Sequence, residues 1–531
     1  MKTRQARIYS MISLGALCLA ACSDECQKDT FFCDDAKLNQ CVDGKWQVIR
    51  TCDEAALCNA DAATCDCKDI NGDDILDCTV RLMPENPLPE LKELSELEGS
   101  CAEWKYPKHP VIEFPDLPEY GYETTIDIKK YNISNVYDVS KAEETTKGIN
   151  QAIEDAYHAG YRRIIIPDGH YPIGYSPESN FTEGIRPLDG MALIMSDKVI
   201  LQMIPTNTYD CNIINLRNRS HIYIEGGELI GEKYDHTMSE EDSTDEECNI
   251  ITSYYSHHIF INKMKLRQSH GDGILIYDRA PSADKPQTSA HFILANSDFD
   301  DNFRQGISVV GVNGLRITHN KIHHTSGTSP QFGIDFEGVG RPNTNVIIDN
   351  NIFHDNVGGD IVNNDVYNLF VEYNTFSQGD MDRYIDNPFI PKAKSSYILY
   401  KNKFEKFTKS IGCGYAVCCS YGTDMDQPYP SFFVKNEVQG TRLMLTNRNK
   451  VCIKDNLVKE GMISATNLKE MRLLDNRVEN YETGGIRYSF KDVYGKASGN
   501  IACNTPDGCI DVTELDAMKD NEAFGFNLHM W

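Results

Sequence analysis

A six-residue pattern, apolar-x-x-Asn-x-apolar, returns through the second half of the chain. It reads Ile317-Thr318-His319-Asn320-Lys321-Ile322, and recurs from Ile348 to Phe353, Val371 to Phe376, Leu399 to Phe404, Phe433 to Val438, Ile453 to Val458 and Leu473 to Val478. Its asparagines form a column at 320, 351, 374, 402, 436, 456, 476 and 500; Met264 and Ser297 hold the same slot earlier, and Gly227 opens the series. The 273 residues from Gly227 to Asn500 make ten steps, a mean of 27.3 residues each. A second ladder lies between: Gly273-Ile274, Gly306-Ile307, Gly333-Ile334, Asp360-Ile361, Ser410-Ile411, Arg442-Leu443, Met462-Ile463, Gly485-Ile486 and Cys509-Ile510. Two strand ladders at a fixed period specify a β-solenoid, whose coils bury apolar side chains against their neighbours. An asparagine at the turn of each coil satisfies backbone groups and stacks its amide on the next, so the column is structural.

Upstream, the period changes to that of a helix. Ser140 and Glu143 read as a capping box, Ile149, Ala152, Ile153 and Ala156 make one apolar face, and Gly160 ends the segment. "RIIIPDGHYPI" follows as a strand and turn. This helix and strand, with the coil repeat after them, resemble the right-handed parallel β-helix proteins of the pectate-lyase-like superfamily over most of Tyr131 to the C-terminus. The resemblance implies an all-β fold, a right-handed parallel β-helix with an N-terminal capping helix. Such a helix covers an edge that would otherwise recruit other strands. Members of the superfamily include lyases, hydrolases and epimerases, so the resemblance implies no single reaction.

The first 125 residues have a different texture. Lys2, Arg4 and Arg7 precede an apolar run from Ile8 to Ala21 that is too short to span a bilayer. Its end, Leu19-Ala20-Ala21-Cys22, resembles a bacterial lipobox, which implies cleavage before Cys22, a lipid on its sulfur and, with Ser23 following, the outer membrane. Of 19 cysteines, nine fall at 26, 33, 41, 52, 58, 65, 67, 78 and 101, a density that signals an oxidising compartment and a small stapled module. Within it Asp69, Asn71, Asp73 and Asp77 stand at the oxygen-ligand spacing of an EF-hand-like loop and resemble the calcium repeats of thrombospondin type 3. Asp74 replaces the usual turn glycine, and position 12 lacks a glutamate; the alternative is an acidic loop beside a disulfide. Seven prolines between Pro84 and Pro118 read as an extended spacer. The expected organisation is a signal over 1–21, a Cys-rich module over 22–78, a Pro-rich linker over 79–125 and the β-helix over 126–531.

Charge narrows the partners. With 52 Lys and Arg against 79 Asp and Glu the net charge is −27, which argues against nucleic acid. Candidate chemistry centres on "QFGIDFEG", Gln331 to Gly338. Ile334 and Phe336 face the core and Asp335 and Glu337 face outward, with Cα atoms about 6.5 Å apart. Paired carboxylates suit glycoside hydrolysis, where a separation of about 6.5–9.5 Å goes with inversion. Stacking the second ladder places Arg304 one coil from Asp335, within reach of it or of a substrate across it; His270, Asp272, Asp278 and Arg279 come from the preceding coil, and His324 from the loop ahead of Asp335. Tyr277, Phe303 and Tyr384 offer flat faces to sugar rings. The expected catalytic set is Asp335, Glu337, Arg304, His270, Asp272 and His324, with Tyr277, Arg279, Phe303 and Tyr384 binding substrate. The expected partner is a polysaccharide. A hydrolase of this kind requires no cofactor, with calcium left to the N-terminal loop. The alternatives are a lyase or C5-epimerase on uronic-acid polymers, in which Arg304, His270 or His324 takes the C5 proton, and a non-catalytic glycan-binding adhesin. The doublets His257-His258 and His323-His324 read as poor metal ligands, because adjacent strand residues point to opposite faces.

Overall fold

In a computed structural model, the described residues are 79–512 apart from 86, 92–100, 102–103, 105–107, 175–183, 209, 238–246, 279–288, 339–340, 365, 379–387, 392–395, 406–414, 418–429, 483–487 and 504, with the backbone of five short strands between 31 and 67. Cys22 and the loop of Asp69, Asn71, Asp73 and Asp77 lie outside them, as do Arg279 and Tyr384. The chain divides into two units, one formed by residues 1–84, 118–124 and 158–163 and the other by the rest. In the first, Phe31–Asp34, Lys37–Val42 and Lys45–Thr51 form an antiparallel sheet, and Ala56–Asn59 pairs antiparallel with Thr64–Cys67.

The second unit is a right-handed parallel β-helix with three sheets along its length. A long first sheet includes Ala290–Ala295, Asn313–Thr318 and Asn343–Asp349, paired in parallel register. A fourteen-stranded second sheet consists mostly of three-residue strands such as Asp298–Asp300, Lys321–His323 and Ile352–His354. A seven-stranded third sheet runs from Asp210–Asn215 to Phe389–Pro391. The pattern apolar-x-x-Asn-x-apolar thus straddles two sheets. The reason is local: the residue before each asparagine, among them His319, Asn350, Tyr373, Lys401 and Lys435, has positive φ and turns the chain. In the last coils the third strand merges with the first, giving the 13-residue strands Arg442–Lys454 and Met462–Leu474.

The two sequence ladders fill the interior. Ile274, Ile307, Ile334 and Ile361 stack in register and are almost wholly buried, as are Phe299, Ile322, Phe353, Phe376 and Phe404. The rings of Phe353, Phe376 and Phe404 stack at 4.9 and 4.7 Å. Each such side chain contributes about 1.5–3 kcal/mol by leaving water. The asparagine column is buried and closed on itself: Asn351 Nδ2 donates to Asn374 Oδ1 at 3.0 Å and Asn374 Nδ2 to Asn402 Oδ1 at 3.1 Å, while backbone N–H groups donate to the same oxygens.

The helix spans Ala142–His158 and buries Ile149, Ala152 and Ile153. Its entry differs from the expected capping box. Asp138 accepts from the Ser140 N–H and hydroxyl and caps a 3₁₀ turn over Val139–Lys141, while Glu143 pairs with Lys147 at 2.6 Å. Gly160, at φ 93, follows its end. Among the described residues no helix is long and apolar enough to cross a membrane.

Part of the proline-rich stretch lies as a strap on the outer face of the first sheet. Cys101 is disulfide-bonded to Cys452, 351 residues away in sequence. His109 Nε2 lies 2.8 Å from Glu372 Oε1, and Arg316, ion-paired to Asp349, donates to the Pro89 carbonyl. Strap N–H groups that have no ladder partner donate to imidazoles: Glu113 N–H to His291 Nδ1 at 3.1 Å and Asp116 N–H to His221 Nδ1 at 2.9 Å.

Candidate active site

Strand alternation sets the outer face of the third sheet. With Ile274, Ile307, Ile334 and Ile361 inward, the register carries Leu275, Ser308, Asp335 and Val362 in one outward column and brings Asp272 opposite Gln305. Arg304, immediately before the strand Gln305–Val310, crosses this face. Its Nη1 donates to Asp272 Oδ2 at 3.0 Å and Oδ1 at 3.3 Å, and its Nη2 to Glu337 Oε1 at 3.1 Å. One guanidinium therefore joins carboxylates from the coils on either side of its own. The three side chains open progressively to solvent: Asp272 is 2% exposed, Arg304 20% and Glu337 29%.

Asp335 stands beside this triad, 7% exposed. Gln305 holds it in place. The fully buried Gln305 donates from Nε2 to Asp335 Oδ2 at 2.9 Å, and its Oε1 accepts the Phe332 N–H at 2.7 Å. Gln305 went unnoticed in the sequence because an uncharged amide inside a strand carries no signal of its own, and strand register pairs Asp335 with Ser308.

Asp272 is electrostatically perturbed. Burial pushes its carboxyl up to about 6, the Glu337 charge pushes the same way, and Arg304 and the Ser308 hydroxyl oppose. At neutral pH Asp272 is the fixed anchor that aims Arg304 at Glu337.

The other expected residues are distributed less closely. His270 is buried, its ring stacked between those of His236 at 3.8 Å and Phe303 at 4.8 Å, so it and Phe303 pack together. Tyr277 packs against Tyr254, ring centroids 4.9 Å apart, and Arg217 lies over Tyr254 at 4.7 Å, forming an aromatic patch on the same sheet. His324 belongs to a separate cluster on the second sheet, with His323, His354 and Asp300. The expectation that an adjacent His-His doublet must diverge fails there: His324 has φ 56, which folds its ring back beside that of His323.

Residues 249–380 and 287–427 match the family model of a right-handed beta helix region. Over 248 residues the chain is 27% identical to the uncharacterized protein YclG of Bacillus subtilis, covering 44% of this chain and 42% of that protein. The chain spans less than half the length of the curated relatives it matches. Among solved structures, it is similar to the A-module of the mannuronan C-5 epimerase AlgE6 of Azotobacter vinelandii, at 11% identity and TM-score 0.46 over 71% of this chain and 98% of that one. It is also similar to PfbA, a surface adhesin of Streptococcus pneumoniae, at 12% identity and TM-score 0.43 over 74% of this chain and 95% of that one.

Proposed function

We propose that the protein binds a polysaccharide along the outer face of the third sheet and hydrolyses it, with Asp335 and Glu337 as the working carboxylates. The observation that carries this reading is the Arg304 bridge from Asp272 to Glu337, with Asp335 held alongside by Gln305. It supports a division of labour. Glu337, the most open carboxylate, faces substrate and activates water. Asp335, held by a neutral amide, gives its proton to the leaving glycosidic oxygen. Arg304 fixes Glu337 and binds sugar hydroxyls, and Tyr254 and Tyr277 stack on ring faces. The lyase and epimerase reading finds less support: Arg304 already donates from both guanidinium arms to carboxylates, His270 is buried against Phe303, and His324 lies on another sheet. The lipobox-like signal would hold the enzyme on the outer membrane through Cys22, with calcium ordering the 69–77 loop.

The test is a panel of polysaccharides followed by reducing-end release and by absorbance near 235 nm. New reducing ends without the absorbance support hydrolysis, and both together indicate a lyase. Binding with neither signal indicates an adhesin.

A further inference from the structure

The second sheet carries a cluster that the proposed hydrolysis does not use. His323 ends the strand Lys321–His323, opposite Asp300 on one neighbouring coil and His354 on the other. Ile322 faces the core, so His323 points outward. His324, turned back by its positive φ, brings its Nδ1 to 2.6 Å from His323 Nδ1, and Asp300 Oδ1 lies 3.1 Å from each.

The far sides of the rings face carboxylates. His323 Nε2 is 2.7 Å from Asp298 Oδ1, His354 Nδ1 is 2.8 Å from Asp355 Oδ2, and His324 Nε2 faces the same Asp355 oxygen at 3.6 Å. An ionised carboxylate only accepts, so the neutral His323 ring carries its proton on Nε2 and turns a bare Nδ1 lone pair toward His324 and Asp300. Electron pairs thus converge from three coils, and a carboxylate behind an imidazole is the arrangement that orients a metal-bound histidine. Donors about 2.0–2.1 Å from a tetrahedral ion lie roughly 3.3 Å apart, so parting the two Nδ1 atoms by about 0.7 Å, from 2.6 Å, and each of them from Asp300 Oδ1 by about 0.2 Å, from 3.1 Å, seats one between these three atoms.

We propose that His323, His324 and Asp300, with His354 within reach, bind one divalent transition-metal ion of the zinc class. Imidazole donors select such an ion over calcium or magnesium, which take oxygen ligands. His324 is 39% and Asp300 30% exposed, so the ion enters from solvent and keeps a water in its open position. The histidines under the strap have comparable spacing but are otherwise engaged: His291 and His221 accept strap N–H groups, and His258 Nε2 faces Glu113 at 3.1 Å.

The test uses untagged full-length protein, stripped with chelator and returned to buffer with excess calcium to saturate oxygen sites. Zn2+ is titrated by calorimetry and Co2+ by its visible absorption bands. The expected result is one equivalent in the wild type. Affinity falls by at least about tenfold in His324→Asn and Asp300→Asn and by about 10–100-fold in Asp298→Asn, which removes only the group behind His323. His258→Asn keeps wild-type affinity. Asparagine tolerates the positive φ at 324, and matched melting curves in chelator show that each variant folds; Asp300→Asn carries the test if His324→Asn does not. No bound equivalent, wild-type affinity in both ligand variants, or loss in His258→Asn instead would overturn the assignment and leave the rings as an imidazole–carboxylate network.

Discussion

The asparagine column and the Arg304 face are both lines of polar side chains crossing several coils, yet they are built on opposite principles. In the column, each coil supplies the same residue, and each amide is satisfied by the next: Asn436, Asn456 and Asn476 repeat one hydrogen-bond pattern with 2.9–3.0 Å contacts. Around Arg304, on the third sheet, the outward residues of successive coils differ. Asp272 stands opposite Gln305, and Ser308 opposite Asp335. Repetition consumes hydrogen-bonding capacity internally and yields rigidity. Broken repetition leaves charges that only neighbours of another kind, or a ligand, can complement. In a solenoid, chemistry should therefore be sought where a column stops repeating.

The sharpest separation of the two regions comes from paired substitutions. Asp335→Asn and Glu337→Gln should lower turnover by about 10²–10⁴-fold, the usual worth of a general acid or base. Melting of Glu337→Gln, at a partly exposed position, should shift by no more than about 0.5 kcal/mol in stability. Wild-type turnover in both variants on an identified substrate would move the chemistry elsewhere. Asn374→Ala should do the reverse. It strips the acceptor from the Asn351 N–H and Nδ2 groups inside the core, at about 1–3 kcal/mol for each orphaned group, so denaturant unfolding should show a loss of about 3 kcal/mol. Turnover by the molecules that remain folded should be unchanged.

Acid sharpens the comparison further, because the amide column does not titrate. The Asp272 carboxyl is raised from 3.8 to about 6, so the folded protein binds more protons than the unfolded chain between those values. The stability cost of burying its charge is present above about pH 6 and is relieved as the pH falls through 6 toward 3.8. Over the same range protonation loosens the grip on Arg304, so turnover should fall below about pH 6 even as this site becomes more stable. An acid limb unchanged in Asp272→Asn would assign it to another group.

The smallest effect should come from the strap. His221, His257 and His291 are held below the ordinary value of 6.5, mainly by burial, with the charge of His258 adding; Asp116 and Asp189 at His221, Asp189 at His257 and Glu113 at His291 pull the other way. Neutral imidazole is the form that accepts the strap N–H groups. This contribution is complete above pH 6.5 and fades as the pH falls below it, opposite in sign to Asp272. Limited proteolysis between residues 108 and 117 should quicken between pH 7 and 5, while the β-helix stays resistant. An unchanged rate would show that Cys101–Cys452 and the His109–Glu372 pair suffice to hold the strap.

Features that repeat were legible in the sequence. The asparagine column, the Ile274-to-Ile361 stack and the helix face of Ile149, Ala152 and Ile153 stand where periodicity puts them, because each position is over-determined by its neighbours above and below. The inward Ile334 and Phe336 and the place of Arg304 on the coil next to Asp335 followed from the same register. What escaped depends on single torsions and on long-range closure. The positive φ at His324, which joins it to His323, has no counterpart in residue spacing. Gln305 looks like any strand amide, since register sets Ser308 rather than Gln305 against Asp335. The pairing of Cys101 with Cys452 crosses 351 residues, and no local pattern announces it.

That disulfide also changes how the chain bears force. In a simple solenoid the coils are links in series, and tension on the two ends peels them off from the termini. Here a pull applied N-terminal to Cys101 passes through the sulfurs directly to Cys452. The coils from Gly227 to Asn436, with the Arg304 face among them, lie in a covalent loop that carries none of the load. Stretching should therefore unravel the last coils and leave the candidate active site wound until the disulfide is reduced.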